Sequence, residues 1–185
     1  MRFAFPIIER TLLPDYRAAL ERIPLQPRSR VLDIGTGTGA LASALVERGH
    51  TVHGIDASPR LLARARARVA RASFEQVGIT ELHRFESGSF DLVSIGFVLH
   101  GLSAGLRRFT LEQAGRISAG RVLVFDYGRK RSWFVDLIEW FEGPHYFEFV
   151  RTPFDQMLQE AGLRCELAGK AGVTGARWWL SSSGR

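Results

Sequence analysis

The chain has 185 residues, 45% of them apolar and 24% charged, with a formal net charge of +6. That length gives one domain a substantial core and leaves no room for two ordinary ones, and the composition excludes wholesale disorder. No apolar run approaches the roughly 18 residues a bilayer span needs, Pro6 and Glu9 interrupt the start where a signal peptide would be apolar, and the single Cys165 excludes an internal disulfide or a cysteine-cluster zinc site. The expectation from these features is a cytoplasmic protein with no metal.

A helix is expected over about 7–22, broken near Pro14, within an N-terminal helical segment covering 1–27. Strand one is Arg30–Ile34, followed by a glycine turn and a helix that Gly49 stops. Strand two is Thr51–Ile55. Ser58 and Pro59 then open a helix as N-cap and first residue. That helix carries the densest basic run, Arg60 to Arg71, whose arginines are spread around the helix with no interleaved aromatics, so a solvated face is expected rather than a nucleic-acid surface. Strands three, four and five follow at Ser73–Val77, Phe90–Ile95 and Arg121–Asp126, with a helix over about 106–117 before the fifth.

After strand five the pattern changes. Residues 128–152 form an aromatic-rich insert with Trp133, Trp140 and Tyr146, flanked by Arg129 and Arg151. It reads either as packing over the sheet or as a lid for a planar or greasy ligand held by Trp133, Trp140, Tyr146 and Arg151. A helix over Pro153–Ala161 precedes two strands, Leu163–Ala168 and Ala176–Ser182, joined by a Gly-rich turn too short for a parallel crossover. Of Trp178 and Trp179, neighbours on one strand, one is expected in the core and the other at the surface or in a subunit interface, which would suit a homodimer. Alternating strands and helices ending in such a hairpin predict an α/β fold: a doubly wound, mostly parallel seven-stranded sheet with helices on both faces and an antiparallel C-terminal hairpin.

The motif with chemical content is Asp33-Ile34-Gly35-Thr36-Gly37-Thr38-Gly39 at the end of strand one. Glycines let the backbone turn sharply and let a ligand approach, and the helix that follows presents unpaired N–H groups. Asp56, 21 residues after Gly35, ends strand two at the spacing that suits ribose hydroxyls. Gly35, Gly37 and Ala40 also satisfy a dinucleotide pattern, but Asp33 would put a carboxylate beside the pyrophosphate and repel it. A cationic nucleoside would be attracted instead.

These residues resemble the first two motifs of the class I S-adenosylmethionine-dependent methyltransferases, with Gly54-Ile55-Asp56-Ala57-Ser58 as the second. Ser89-Phe90-Asp91-Leu92-Val93 with Val98-Leu99-His100-Gly101-Leu102 is similar to the fourth-strand signature of the small-molecule branch, and the tail from His145 to Leu163 is similar to that of quinone-biosynthesis-like members. The resemblance implies a Rossmann-like fold, S-adenosyl-L-methionine as cofactor and a small-molecule methyl acceptor. It assigns Asp33, Gly35, Thr36, Gly37 and Gly39 to the methionine end, Asp56 to the ribose, Ala57 and Ser58 to the adenine side, and Gly96 and Phe97 to the cleft near the methyl group. The chain departs from the family after strand three, where Gly78-Ile79-Thr80 stands in place of an acidic residue. His100 and His145 are the candidate general bases, while His50, His53 and His83 are read as ordinary surface or edge residues. A nucleic-acid methyltransferase and a non-catalytic cofactor-binding subunit are the competing functions. The first is disfavoured because Ser94-Ile95-Gly96-Phe97 lacks the proline-aromatic motif used on base amino groups.

Overall fold

The computed structural model describes residues 5–128, 145–171 and 176–183, with side chains from Leu13 onward. Seven strands form one sheet in the order β3-β2-β1-β4-β5-β7-β6. They are β1 (Arg30–Ile34), β2 (Thr51–Asp56), β3 (Ser73–Gln76), β4 (Phe90–Gly96), β5 (Ser118–Tyr127), β6 (Leu163–Ala171) and β7 (Ala176–Ser183). β1 to β5 are parallel, and β7 lies antiparallel between β5 and β6. The helices are α1 (Phe5–Arg22), α2 (Ala40–Glu47), α3 (Pro59–Arg68), α4 (Ala104–Ile117), α5 (His145–Arg151) and α6 (Phe154–Glu160), with 3₁₀ turns at Ile79–Arg84 and Leu99–Gly101. Among the described residues no helix is long and apolar enough to cross a membrane.

The period-2 alternation of strands sorts the core into two layers. Val31, Leu92, Leu123, Phe125 and Trp178 point to the side covered by α1 and α2. Leu32, Val93, Val122, Val124 and Trp179 point to the side covered by α4, α5 and α6. Both tryptophans are therefore core residues, 4% and 5% exposed, which corrects the expectation that one lies at the surface. The reason is the placement of β7 inside the sheet, where both of its faces are covered. α1 passes through Pro14 without breaking, also contrary to expectation. Pro14 is on the exposed face, where water can satisfy the carbonyl that a proline leaves unpaired. Tyr16, Ala19 and Leu20 form its buried stripe at helical spacing, and Ile23 continues the burial just past its end.

In α3, Leu62 and Ala65 are buried and Arg60, Arg64 and Arg66 are exposed, so the basic run is a solvated face, as read from its spacing. His50 is 6% exposed and not a surface residue. Its Nδ1 accepts the Ser29 N–H at 3.2 Å, joining the entries of β1 and β2, and burial lowers its pKa, aided by Arg48. His53 lies half-buried beside Ser73 at the β2–β3 edge, and His83 is exposed.

Candidate active site

Strand order reverses between β1, which leads outward to β2 and β3, and β4, which leads to β5. In open α/β sheets a crevice forms at such a switch point, past the carboxyl ends of the strands. Asp33, Gly35, Asp56, Gly96 and Asp126 all lie at these ends. A hollow of about 770 Å³ lined by Ser87, Gly88, Arg116 and Arg164 opens at the opposite edge of the sheet, away from these groups.

Asp33 pairs in register with Ser94 across β1 and β4, so both side chains emerge on the α1–α2 face. The Ser94 hydroxyl donates to Asp33 Oδ1 at 2.7 Å. Oδ2 is equally buried and has no hydrogen-bond partner among the described residues. Burial lifts this carboxyl from 3.8 to about 6, the Thr36 hydroxyl, near it but outside hydrogen-bond geometry, and the bonded Ser94 hydroxyl pull it back, and the charge of Asp56 adds to the rise. Keeping an acid 1% exposed with one oxygen that no described residue bonds costs stability, and such costs concentrate at functional sites.

The glycine turn closes over this carboxylate. Gly35 has φ +66° and its missing Cβ is where Val98 Cγ2 sits, so only glycine lets the turn meet the start of the Leu99–Gly101 3₁₀ turn. Asp56 braces the loop from β2: its Oδ2 accepts the Gly37 N–H at 3.0 Å and its Oδ1 accepts the Ser58 N–H at 2.8 Å. Thr36 is tied by its N–H to the Ile55 carbonyl at 2.9 Å. Gly39 caps α2, and Arg68 from α3 donates to the Thr38 hydroxyl at 3.0 Å. The exposed Ala57 accepts from Gln76 Nε2 at 3.2 Å. After β3 the acidic residue absent from Gly78-Ile79-Thr80 appears one position later, where Glu81 turns back to accept the Gly78 N–H at 2.8 Å.

Tyr16, invisible to motif reasoning, completes the floor with Phe97, which the resemblance had placed there. The Tyr16 hydroxyl from α1 lies 2.9 Å from where a Cβ on Gly96 would stand. Burial raises its pKa well above 10, with Asp33, Asp126 and Asp15 adding to the rise, so it stays a hydroxyl. Its ring packs edge-on against Phe125 and Phe97. Phe97, directly after β4, has φ +53°, the left-handed region that non-glycine residues seldom adopt, held there by its N–H bond to the Phe125 carbonyl at 2.8 Å.

On the opposite face of the sheet, Asp126 at the end of β5 is fully buried and joins His100 Nδ1 at 2.8 Å. The only sequence signal for it was a carboxylate ending an otherwise apolar strand. Tyr127, Tyr146, Phe149 and Phe97 surround the His100 ring edge-on. α5 is held there by Arg107, 3% exposed, which donates to Glu148 Oε2 at 2.8 Å and to the Leu102 carbonyl. Tyr146 is thus buried against His100 and Tyr127, whereas Arg151 is exposed at the far end of α5 and His145 is half-buried at its start. Trp133 and Trp140 lie outside the described residues. Among the described residues no cluster of acidic, histidine or cysteine side chains could hold a metal.

Residues 31–119 match the methyltransferase-domain family model. An uncharacterized methyltransferase of Synechocystis is 29% identical over 157 residues, covering 80% of this chain and 72% of that protein. The demethylmenaquinone methyltransferase of Tropheryma whipplei is 32% identical over 117 residues, covering 62% of this chain and 48% of the relative, so the chain spans about half of that protein's length. Among solved structures, the magnesium protoporphyrin IX methyltransferase of Synechocystis with bound SAH aligns at TM-score 0.70 and 16% identity, covering 94% and 82% of the two chains. With the strand order, the glycine turn and the two strand-end aspartates all in place, residues 31–119 form a methyltransferase domain, carried on the Rossmann-like fold of the S-adenosylmethionine-dependent methyltransferases.

Proposed function

We propose that the chain methylates a small organic acceptor seated over the carboxyl ends of β4 and β5. The observation that carries this is the buried Asp33, whose Oδ2 lacks a partner among the described residues beneath the glycine turn. A carboxylate so placed suits a ligand bearing positive charge, and the crevice adds the charge of Asp56. The residues therefore fit S-adenosyl-L-methionine. When bound it supplies a methyl group activated by attachment to a positively charged sulfur.

In this reading Asp33, Gly35, Thr36, Gly37 and Gly39 hold the methionine end. Asp56 accepts from the ribose hydroxyls with the lone pairs left after its bonds to Gly37 and Ser58, next to Ala57. Gly96 leaves room beside the Tyr16 hydroxyl, and Phe97 closes the crevice against water. Methyl transfer is an in-line displacement, so alignment in a dry pocket can supply much of the rate. The aromatic rim of Phe97, Tyr127 and Tyr146 favours a planar apolar acceptor, in line with the small organic acceptors named for the demethylmenaquinone and magnesium protoporphyrin relatives. The exposed arginines of α3 face solvent, which gives a nucleic-acid acceptor little support.

Titration calorimetry with S-adenosylmethionine and with its demethylated product tests the cofactor assignment. Saturable binding of both is expected, weakened about tenfold or more by Asp56→Ala, since a hydrogen bond to a charged group contributes roughly 1.5–3 kcal/mol. Absence of binding for both ligands at millimolar concentration would overturn it.

A further inference from the structure

Among the described arginines, only Arg107, Arg116 and Arg121 are not exposed. Arg107 pairs with Glu148 and Arg121 with Glu166, as guanidinium groups drawn out of water ordinarily do. Arg116 differs: none of its partners is a carboxylate. Its Nε donates to Gln113 Oε1 at 2.8 Å, its Nη1 to Ser87 Oγ at 3.2 Å and its Nη2 to the Leu82 carbonyl at 3.1 Å. Three neutral oxygens thus fix the group and leave two of its five N–H donors without a partner among the described residues. Arg116 also lies in the last turn of α4, where positive charge offsets the helix carbonyls. That role explains its sign but not the bonds that hold it toward Ser87.

Arg116 lines the hollow of about 770 Å³ at the edge of the sheet opposite the crevice. Beside it Gly115 meets Leu163, whose Cδ2 lies 2.9 Å from where a Cβ would stand, so the end of α4 seats closely on the start of β6. The next residue of β6, Arg164, lines the same hollow. Its exposed guanidinium makes no ion pair or hydrogen bond with a described residue. Around the two arginines stand Ser87, Ser118, Ser182 and Ser183. No carboxylate lines the hollow: Glu166, close by, is held by Arg121, and Glu86 is exposed on the loop before Ser87. No aromatic or large apolar side chain lines it either.

We propose that this hollow binds a phosphorylated polyhydroxy compound, a sugar phosphate in class, with its phosphate on Arg116 and Arg164 and its hydroxyls on the serines. Two guanidinium groups lining one space repel each other until an anion joins them, and the planar fork of arginine matches the oxygens of a phosphate. The volume is that of a small-molecule site rather than of a bare ion. With no aromatic face on which a base could stack, the lining suits hydroxyl groups and not a nucleobase. Because the hollow opens away from Asp33 and Asp56, such a ligand leaves the crevice open to the cofactor.

Titration calorimetry of the full chain with glucose 6-phosphate tests this, with glucose and inorganic phosphate as comparison probes. Saturable binding of glucose 6-phosphate is expected, no binding of glucose, and binding of inorganic phosphate weaker by about tenfold or more. Arg164→Ala removes an exposed guanidinium that bonds nothing described in the fold. It should weaken glucose 6-phosphate by about tenfold or more and leave binding of the demethylated cofactor as in the wild type. Amide NMR shifts induced by glucose 6-phosphate should centre on Ser87, Gly88, Gly120 and Ser182. The proposal is overturned by absence of glucose 6-phosphate binding at millimolar concentration, by equal affinity for glucose or for inorganic phosphate, or by unchanged affinity in Arg164→Ala. Shifts centred on Gly37 and Ser58 in the crevice would overturn it as well.

Discussion

Asp33 shows how one residue can lower stability and serve binding. Its carboxyl is raised to about 6 by burial, so the folded state holds the proton more tightly than the unfolded chain does. The stability this brings is fully present below the ordinary carboxylate value near 4 and is lost as pH rises through about 6, a swing of about 3 kcal/mol for two pH units. Asp33→Asn keeps the shape and the Ser94 contact but carries no charge. It is expected to raise the melting temperature at pH 8 and to leave it almost unchanged at pH 4, while sharply weakening S-adenosylmethionine binding. In the wild type, affinity for S-adenosylmethionine should fall about tenfold per unit as pH drops below about 6, because the cation meets a neutral acid. Melting curves at the two pH values, paired with calorimetry, check both; equal gains at pH 4 and pH 8 would contradict the ionisation argument. The sequence disclosed Asp33 because its offset from Gly35 is local. Its Ser94 bond, and the oxygen that no described residue bonds, were hidden, since they require β4 to lie next to β1.

At the scale of elements, the glycine turn and the Leu99–Gly101 turn are mutually fitted. A methyl group on Gly35 would meet Val98 and would also force a residue with a Cβ to φ +66°. The left-handed conformation alone costs about 1–2 kcal/mol, and the clash adds to it. Gly35→Ala should therefore lose about 2 kcal/mol or more in urea unfolding, and Val98→Ala in the same chain should recover the steric share but not the conformational one. Full additivity of the two substitutions would show that the contact is not strained. The turn itself could be read from glycine spacing. Its partner could not, because Val98 lies 63 positions further along. The extent of β5 differs from expectation for a similar reason: Ser118 to Gly120 carry no strand signature and join the strand only through its neighbours.

Across the whole molecule, α1 supplies part of the floor. Tyr16 packs on Phe125 and Phe97, and its hydroxyl reaches Gly96 at the far side of the switch point. Tyr16→Phe keeps the ring contacts, so stability should change by less than about 1 kcal/mol. Binding of S-adenosylmethionine should nevertheless weaken severalfold, measured by calorimetry; unchanged affinity would reduce α1 to a cover for the sheet. The sequence by itself determined the strands, the glycine turn and the two strand-end aspartates, because short β-branched runs, glycine spacing and motif offsets are properties of short stretches. Only the tertiary structure decided that both Trp178 and Trp179 are buried, that Asp126 meets His100 26 positions away, and that Tyr16 enters the crevice. These depend on strand order and on which face each helix covers, and both are set by contacts between segments distant in the chain, where no local pattern reaches.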